Sequence, residues 1–346
     1  MTQTRPATPT DLPDLVRKPL GVGRWRQVTR EQLNPFADAT SDHQSNDLHP
    51  MRAATGPSHP ATIANGYRNL TLAPLPKTSK STTGHVTVGN QQLRVDVRAG
   101  NGTGTPLLMC CGIGASFEVL QPLVDALDPG IDIIRFDVPG VGGSPVGALP
   151  NGFPQLAWML GRILDELGYD EVDVIGFSWG GALAQQFAVQ HARRCRRLVL
   201  ICTNTGVWSV PGAPWLFAKM ATPRGFRANA MSILAGSGHG GNSRARADEV
   251  RRLFRDTLAS SGRGFLYQLA AAASWSSLPF LKLIRQPVLV MGGDHDPIVP
   301  VTNARILAAL IPNATLQVFP GGHLEPLTAA TEFGPRISQF LGRQRQ

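Results

Sequence analysis

The sequence predicts an α/β fold: a mostly parallel central sheet with helices on both faces and a helical cap insertion. Three observations carry that expectation. From Gly84 onward, short apolar runs alternate with stretches of helical spacing, the pattern of a parallel sheet covered on both sides. Between Gly206 and Pro287 the alternation stops, and helical patterns such as Ala247–Ala259 and Gly264–Ala272 carry Trp208, Trp215 and Trp275 along with them. Beyond Pro287 the alternation resumes, so the irregular stretch sits between two core strands.

The elements follow in order. Val86–Val88 and Leu93–Val97 alternate as strands do, with Gly89-Asn90 as a hairpin turn between them. Leu107–Cys110 is a short apolar run ending in Gly112-Ile113-Gly114, and Phe117–Leu127 has helical spacing. Ile131–Phe136 is a further strand, followed by the Gly-rich loop Asp137–Ser144. Leu156–Leu167 is helical, Val172–Ile175 is a strand, Ala182–Gln190 is helical and Leu198–Cys202 is a strand. After the cap come the strand Val288–Met291, a helix around Thr302–Ile311, the strand Leu316–Phe319 and a last helix near Thr328–Leu341.

Residues 1–84 differ in composition, being rich in Pro, Thr, Asn and His. They read as an N-terminal extension whose last part, Pro74–Gly84, is a Pro-, Ser- and Thr-rich linker. The main domain is then 85–346, with the cap at about 206–286.

Composition bounds the function. A chain of 346 residues with 42% hydrophobic and only 16% charged residues can build a sizeable core. The formal net charge of +9 comes mainly from arginine and reads as a solvated face. The densest cluster, Arg193, Arg194, Arg196 and Arg197, falls between a helix and a strand, where cations suit a helix C-terminus. No aromatic residues interleave with it, so no nucleic-acid partner is expected. Cys110, Cys111, Cys195 and Cys202 match no zinc spacing and no small disulfide framework; they read as small buried apolar residues. No cluster of His, Cys and carboxylates suggests a metal. The first twenty residues lack an apolar core and no run of 18 apolar residues exists, so neither a signal peptide nor a transmembrane segment is expected. The expected setting is cytoplasmic.

The sharpest motif is Gly176-Phe177-Ser178-Trp179-Gly180, preceded by a strand and followed by a helix. That context defines the nucleophile elbow of an α/β hydrolase, in which a tight turn lifts the serine hydroxyl clear of the sheet. A serine hydroxyl needs a base and an orienting acid, and the expected chain order is Ser, then Asp or Glu, then His. His323, in Gly321-Gly322-His323-Leu324 after the last strand, is the expected base. Two carboxylates compete for the acid in Gly293-Asp294-His295-Asp296-Pro297. Asp296 is preferred from its place before Ile298-Val299-Pro300, and Asp294 reads as a loop-capping group. The oxyanion of a tetrahedral intermediate needs donors. The backbone N–H of Trp179 is one candidate, and that of Ile113, in the loop after Leu107–Cys110, is the other. The Asp137–Ser144 loop lacks both the Lys-Ser/Thr of a P-loop and dinucleotide-binding glycine spacing, so it reads as a structural loop beside the site and no cofactor is expected.

With these residues in hand, residues from about 85 to 342 resemble the intracellular medium-chain-length poly(3-hydroxyalkanoate) depolymerases, which are α/β hydrolases. The matching stretches are GIGASFEVLQPLVDALDPGIDIIRFDVPGVGGS, VIGFSWGGALAQQFA, SWSSLPFLKLIRQPVLVMGGDHDPIVP and IPNATLQVFPGGH. The resemblance places that family's triad on Ser178, Asp296 and His323. It implies hydrolysis of a storage polyester to 3-hydroxy acids, with the granule surface as a further partner. The middle of the cap, Arg224–Arg263, matches least. Upstream, WRQVTREQLNPFADATSDHQ and ATIANGYRNLTLAPL look like the first part of a MaoC-like hot-dog hydratase. Asp42 stands at that family's Asp position, but Asp47 occupies its His position and His49 lies two further on, which implies a remnant without hydratase activity. The rival readings of the whole chain are an esterase or lipase of small acyl esters, a cofactor-free haloperoxidase or C–C hydrolase of the same fold, and a granule-binding protein with an idle triad.

Overall fold

The structure, a computed structural model, describes residues 81–102, 104–213 and 260–342. The expected hydratase remnant, including Asp42, Asp47 and His49, lies outside the described residues, as do the middle of the cap and its expected helix at Ala247–Ala259.

Eight strands form one sheet: β1 (Ser81–Val88), β2 (Gln91–Arg98), β3 (Leu107–Cys110), β4 (Ile133–Phe136), β5 (Val172–Phe177), β6 (Cys195–Ile201), β7 (Val288–Gly293) and β8 (Ala314–Phe319). Their order is β1-β2-β4-β3-β5-β6-β7-β8, antiparallel through β1, β2 and β4 and parallel from β4 to β8. β1 and β2 pair in register from Val88 opposite Gln91, and Gly89 turns the hairpin with a positive φ of 64°. The strand starts at Ser81, so the end of the expected linker is part of the sheet. Thr82 and Thr83 suit a strand, and β2 supplies their pairing partners.

The helices are α1 (Gln121–Ala126), α2 (Phe153–Leu167), α3 (Trp179–Gln190), α4 (Gly262–Ala273), α5 (Val301–Leu310), α6 (Glu325–Thr328) and α7 (Ala330–Leu341). Two expected helices are divided. Phe117–Leu120 is a 3₁₀ turn leading into α1 at Pro122, and the C-terminal helix breaks at Ala329 between α6 and α7. α2 begins before its apolar stripe because Gly152 precedes it and Pro154 stands in its first turn; Gly168, in the left-handed region, ends it. The central strands β3 and β7 are apolar and fully buried because helices cover both faces. α2 and α3 bury Phe153, Leu160, Leu183 and Phe187 on one side, and α1 and α7 bury Leu123, Val124, Phe333 and Ile337 on the other.

The arginine cluster serves a helix C-terminus only in part. β6 starts at Cys195, so Arg196 and Arg197 are strand residues. Arg196 binds Asp173 with two hydrogen bonds of 2.9 and 2.5 Å, and the buried Arg197 stacks on Phe340. Arg194 does serve a helix C-terminus, but that of α2: it donates to the carbonyls of Gly161 and Tyr169 and pairs with Asp165. The cap is rooted where it leaves and rejoins the sheet, since Val207 N–H donates to the Trp275 carbonyl and Ser277 N–H to that of Thr205.

Candidate active site

Ser178 lies between β5 and α3 with φ 55° and ψ −121°, a conformation a side-chain-bearing residue rarely holds. The turn closes only because its neighbours lack side chains. A Cβ on Gly176 would overlap the Gly180 carbonyl, and one on Gly180 would overlap the carbonyls of Cys110 and Cys111. The serine therefore projects above the C-terminal end of the sheet and heads α3, whose first amides have no intrahelical acceptor.

The loops after β7 and β8 meet it there. His323 Nε2 accepts the Ser178 hydroxyl at 2.9 Å, and its Nδ1–H donates to Asp296 Oδ2 at 2.7 Å. Asp296 Oδ1 accepts the N–H groups of Ile298 and Val299 at 2.8 and 2.9 Å, so both carboxylate oxygens are held. The Asp296 and His323 side chains are buried, and Phe177 stacks on the imidazole at 5.3 Å. With its proton on Nδ1, the ring offers a lone pair to the serine. Asp294 points elsewhere: its carboxylate faces solvent, accepts the Gly321 N–H at 2.9 Å and contacts His295. Those contacts hold it below the usual carboxylate range and brace the loop that carries His323.

The loop carrying Ile113 approaches Ser178 from β3. A Cβ on Gly112 would come within 3.6 Å of Ser178 Cβ. The indole of Trp179 packs on Phe153 at 4.7 Å and donates to the Gln268 carbonyl at 3.0 Å. Gln268 also receives the Gly114 N–H on Oε1 at 2.9 Å. Nothing in the sequence flagged Gln268, whose partners are far away along the chain.

The Asp137–Ser144 loop is a scaffold. Buried Asp137 accepts the N–H groups of Phe117 and Gly143 and faces Arg94. Gly140 lies against Gly264 and receives Ser261, seating α4.

One cluster escaped the sequence reading: Cys202, Asp296 and His323 have potential ligand atoms within 4.8 Å of one another. Burial beside Asp296 pushes the Cys202 thiol well up, whereas a metal would require the thiolate. Asp296 and His323 are already bonded to each other, so the donor set suits a hydrogen-bonded relay rather than a metal centre.

Comparison with known proteins places this geometry. The family described as alpha/beta hydrolase fold matches residues 105–330. The chain belongs to that family. This α/β hydrolase is 44% identical to a poly(3-hydroxyalkanoate) depolymerase from Ectopseudomonas oleovorans over 75% of its own length and 93% of that protein. Among solved structures, the enol-lactonase of Burkholderia xenovorans matches with a TM-score of 0.67 and 22% identity, covering 75% of this α/β hydrolase and 100% of that chain. A hydrolase from Pseudomonas aeruginosa matches with a TM-score of 0.65 and 24% identity, over 75% and 98%. At those identities the two structures speak for the fold alone.

Proposed function

We propose that this α/β hydrolase is a serine carboxylic-ester hydrolase that cleaves medium-chain poly(3-hydroxyalkanoate) to 3-hydroxy acids or oligomers. The observation that carries the chemistry is the hydrogen-bonded series Ser178–His323–Asp296 at the sheet's C-terminal end. The 44% identity to a poly(3-hydroxyalkanoate) depolymerase supports the substrate.

The steps follow from the residues. Ser178 Oγ attacks the ester carbonyl while His323 Nε2 takes its proton, and Asp296 stabilises the resulting imidazolium. The carbonyl oxygen becomes an oxyanion, with the N–H groups of Ile113 and Trp179 as its donors. Collapse breaks the ester C–O bond. His323 returns the proton to the departing oxygen, which leaves as the 3-hydroxyl of the neighbouring polymer unit. Water, deprotonated by His323, then attacks the acyl-Ser178 ester, releasing the acid and restoring the serine hydroxyl.

Granule association belongs to the same proposal, because the polymer is the granule. Trp208, 75% exposed at the root of the cap, supports it as an apolar contact for polyester. Among the described residues no helix is long and apolar enough to cross a membrane.

Product analysis with short-chain and medium-chain polyesters side by side tests the substrate, with 3-hydroxyoctanoate release expected from the latter. Hydrolysis of p-nitrophenyl octanoate without release from either polymer would leave a small-ester esterase. Granule co-sedimentation with no hydrolysis of any ester would favour an idle binding protein.

A further inference from the structure

Gln268 sits in the middle of α4, is only 4% exposed, and belongs to the segment that returns from the cap to the sheet. A buried primary amide requires partners. Its side-chain oxygen and the main-chain carbonyl of the same residue are bonded to two segments beside Ser178. The side-chain Oε1 accepts the N–H of Gly114, 154 residues earlier, and the main-chain carbonyl accepts the indole N–H of Trp179, 89 residues earlier. Gly114 follows Ile113 directly, and Trp179 follows Ser178 directly. One residue of the cap's return helix therefore grips both segments that would supply oxyanion donors.

The grip is itself anchored. Ser261 caps α4 by accepting the Gly264 N–H and bonds the Gly140 carbonyl through its own N–H. Arg263 and Tyr267 both donate to the Ala148 carbonyl. The helix is thus fixed to the 138–148 loop at one end and to the nucleophile's surroundings at Gln268.

We infer that Gln268 is a positioning residue that sets the oxyanion hole, tying its two donor segments to the seating of the cap's return helix. The physical argument is preorganisation: an oxyanion donor contributes most when its direction is fixed before charge develops. Binding the Gly114 amide to Oε1 fixes the peptide next to Ile113 N–H. Holding the indole fixes the residue whose own N–H is the second donor. This inference rests on the ester-hydrolase reading above.

The test is Gln268→Met, which keeps length and helix propensity but removes the side-chain acceptor. Full-length protein is assayed with p-nitrophenyl octanoate and titrated with two inhibitors. One is an octyl trifluoromethyl ketone, which places an oxyanion on Ser178 as a hemiketal; the other is the matching alkyl ether, which fills only the acyl site. Expected is a loss in kcat of about tenfold or more, with KM changed less than about twofold, as befits an interaction felt in the transition state. The ketone's affinity falls in parallel and the ether's does not. Unchanged kcat in a natively folded variant overturns the inference, as does equal weakening of ketone and ether, which would mark a general loss of structure.

A second measurement uses the unmodified protein and stands whether or not the variant folds. On adding the ketone, amide exchange should slow together in the peptides spanning 107–118 and 262–273. Protection of the first without the second overturns the coupling. If Ser178→Ala remains active, the ester-hydrolase reading itself fails. A dead Ser178→Ala beside a fully active Gln268→Met removes only the role of Gln268.

Discussion

Asp296 and Asp294, two residues apart on one loop, hold different parts of the site: Asp296 bonds the ring of His323 at 2.7 Å, and Asp294 bonds the backbone of Gly321 at 2.9 Å. The buried one holds the His323 ring and the exposed one steadies the loop beneath it. Asp296→Asn should lower kcat by about 10³–10⁴-fold, since an amide favours the wrong imidazole tautomer. Asp294→Asn should stay within about tenfold of the unmodified protein, because its side-chain oxygen can still accept the Gly321 amide. Steady-state rates on p-nitrophenyl octanoate separate the two; equal losses would count against the assignment of the acid.

The strain at Ser178 should be visible in melting curves. Ser178→Ala and Ser178→Gly both remove the hydroxyl and should abolish turnover. Glycine alone adopts φ 55° and ψ −121° without steric cost, a relief of about 1–3 kcal/mol that exceeds its entropic penalty of about 0.5–1 kcal/mol. The glycine variant should therefore melt above the alanine variant. Identical midpoints would mean the turn is not strained.

Arg135 and Asp96 form an ion pair between β4 and β2, with contacts of 2.6 and 3.1 Å and both residues at most 2% exposed. Arg135→Met should cost about 3–5 kcal/mol by leaving a carboxylate buried without its partner. Adding Asp96→Asn should recover part of that loss. Denaturant midpoints of the single and double variants check it; a double variant weaker than the single would contradict it.

The buried thiols predict a pH dependence of stability. Burial pushes Cys110, Cys195 and Cys202 up from the ordinary thiol range. In the unfolded chain a thiol loses its proton near pH ~8.5, while the native protein keeps it. Above that pH the unfolded state binds fewer protons, so stability is full below about pH 8 and falls as pH rises through the unfolded thiol value. Denaturation midpoints at about pH 7, 8.5 and 10 should decline in turn, and less steeply in Cys195→Ala. A flat profile would refute this.

What the sequence made legible, and what it hid, divides along physical lines. The elbow around Ser178 is local, because one tight turn demands small residues at fixed places, and the loops bearing Asp296 and His323 follow strands whose apolar runs stand out. The α/β fold could be read for the same reason. The start of β6 could not, because Arg196 and Arg197 look like surface residues until Asp173 and Phe340 come against them. The linker ran four residues too far because Ser81–Gly84 are made a strand by the distant Val95–Arg98. Gln268 and Cys202 share that difficulty: each gains its meaning from partners that no spacing rule connects to it.

The relay between Ser178 and His323 spans 145 residues, and the imidazole is delivered by the loop after β8, the last strand of the sheet in chain order. A chain emerging from the ribosome thus exposes its serine long before the acid, the base and the helix bearing Gln268 exist. Domains form from the N-terminal side during synthesis, and contacts this distant close slowly. On the proposed mechanism the nascent chain is therefore inert towards esters. Hydrolytic power arrives only when the sheet is complete, which makes turnover a sensitive clock for the final step of folding.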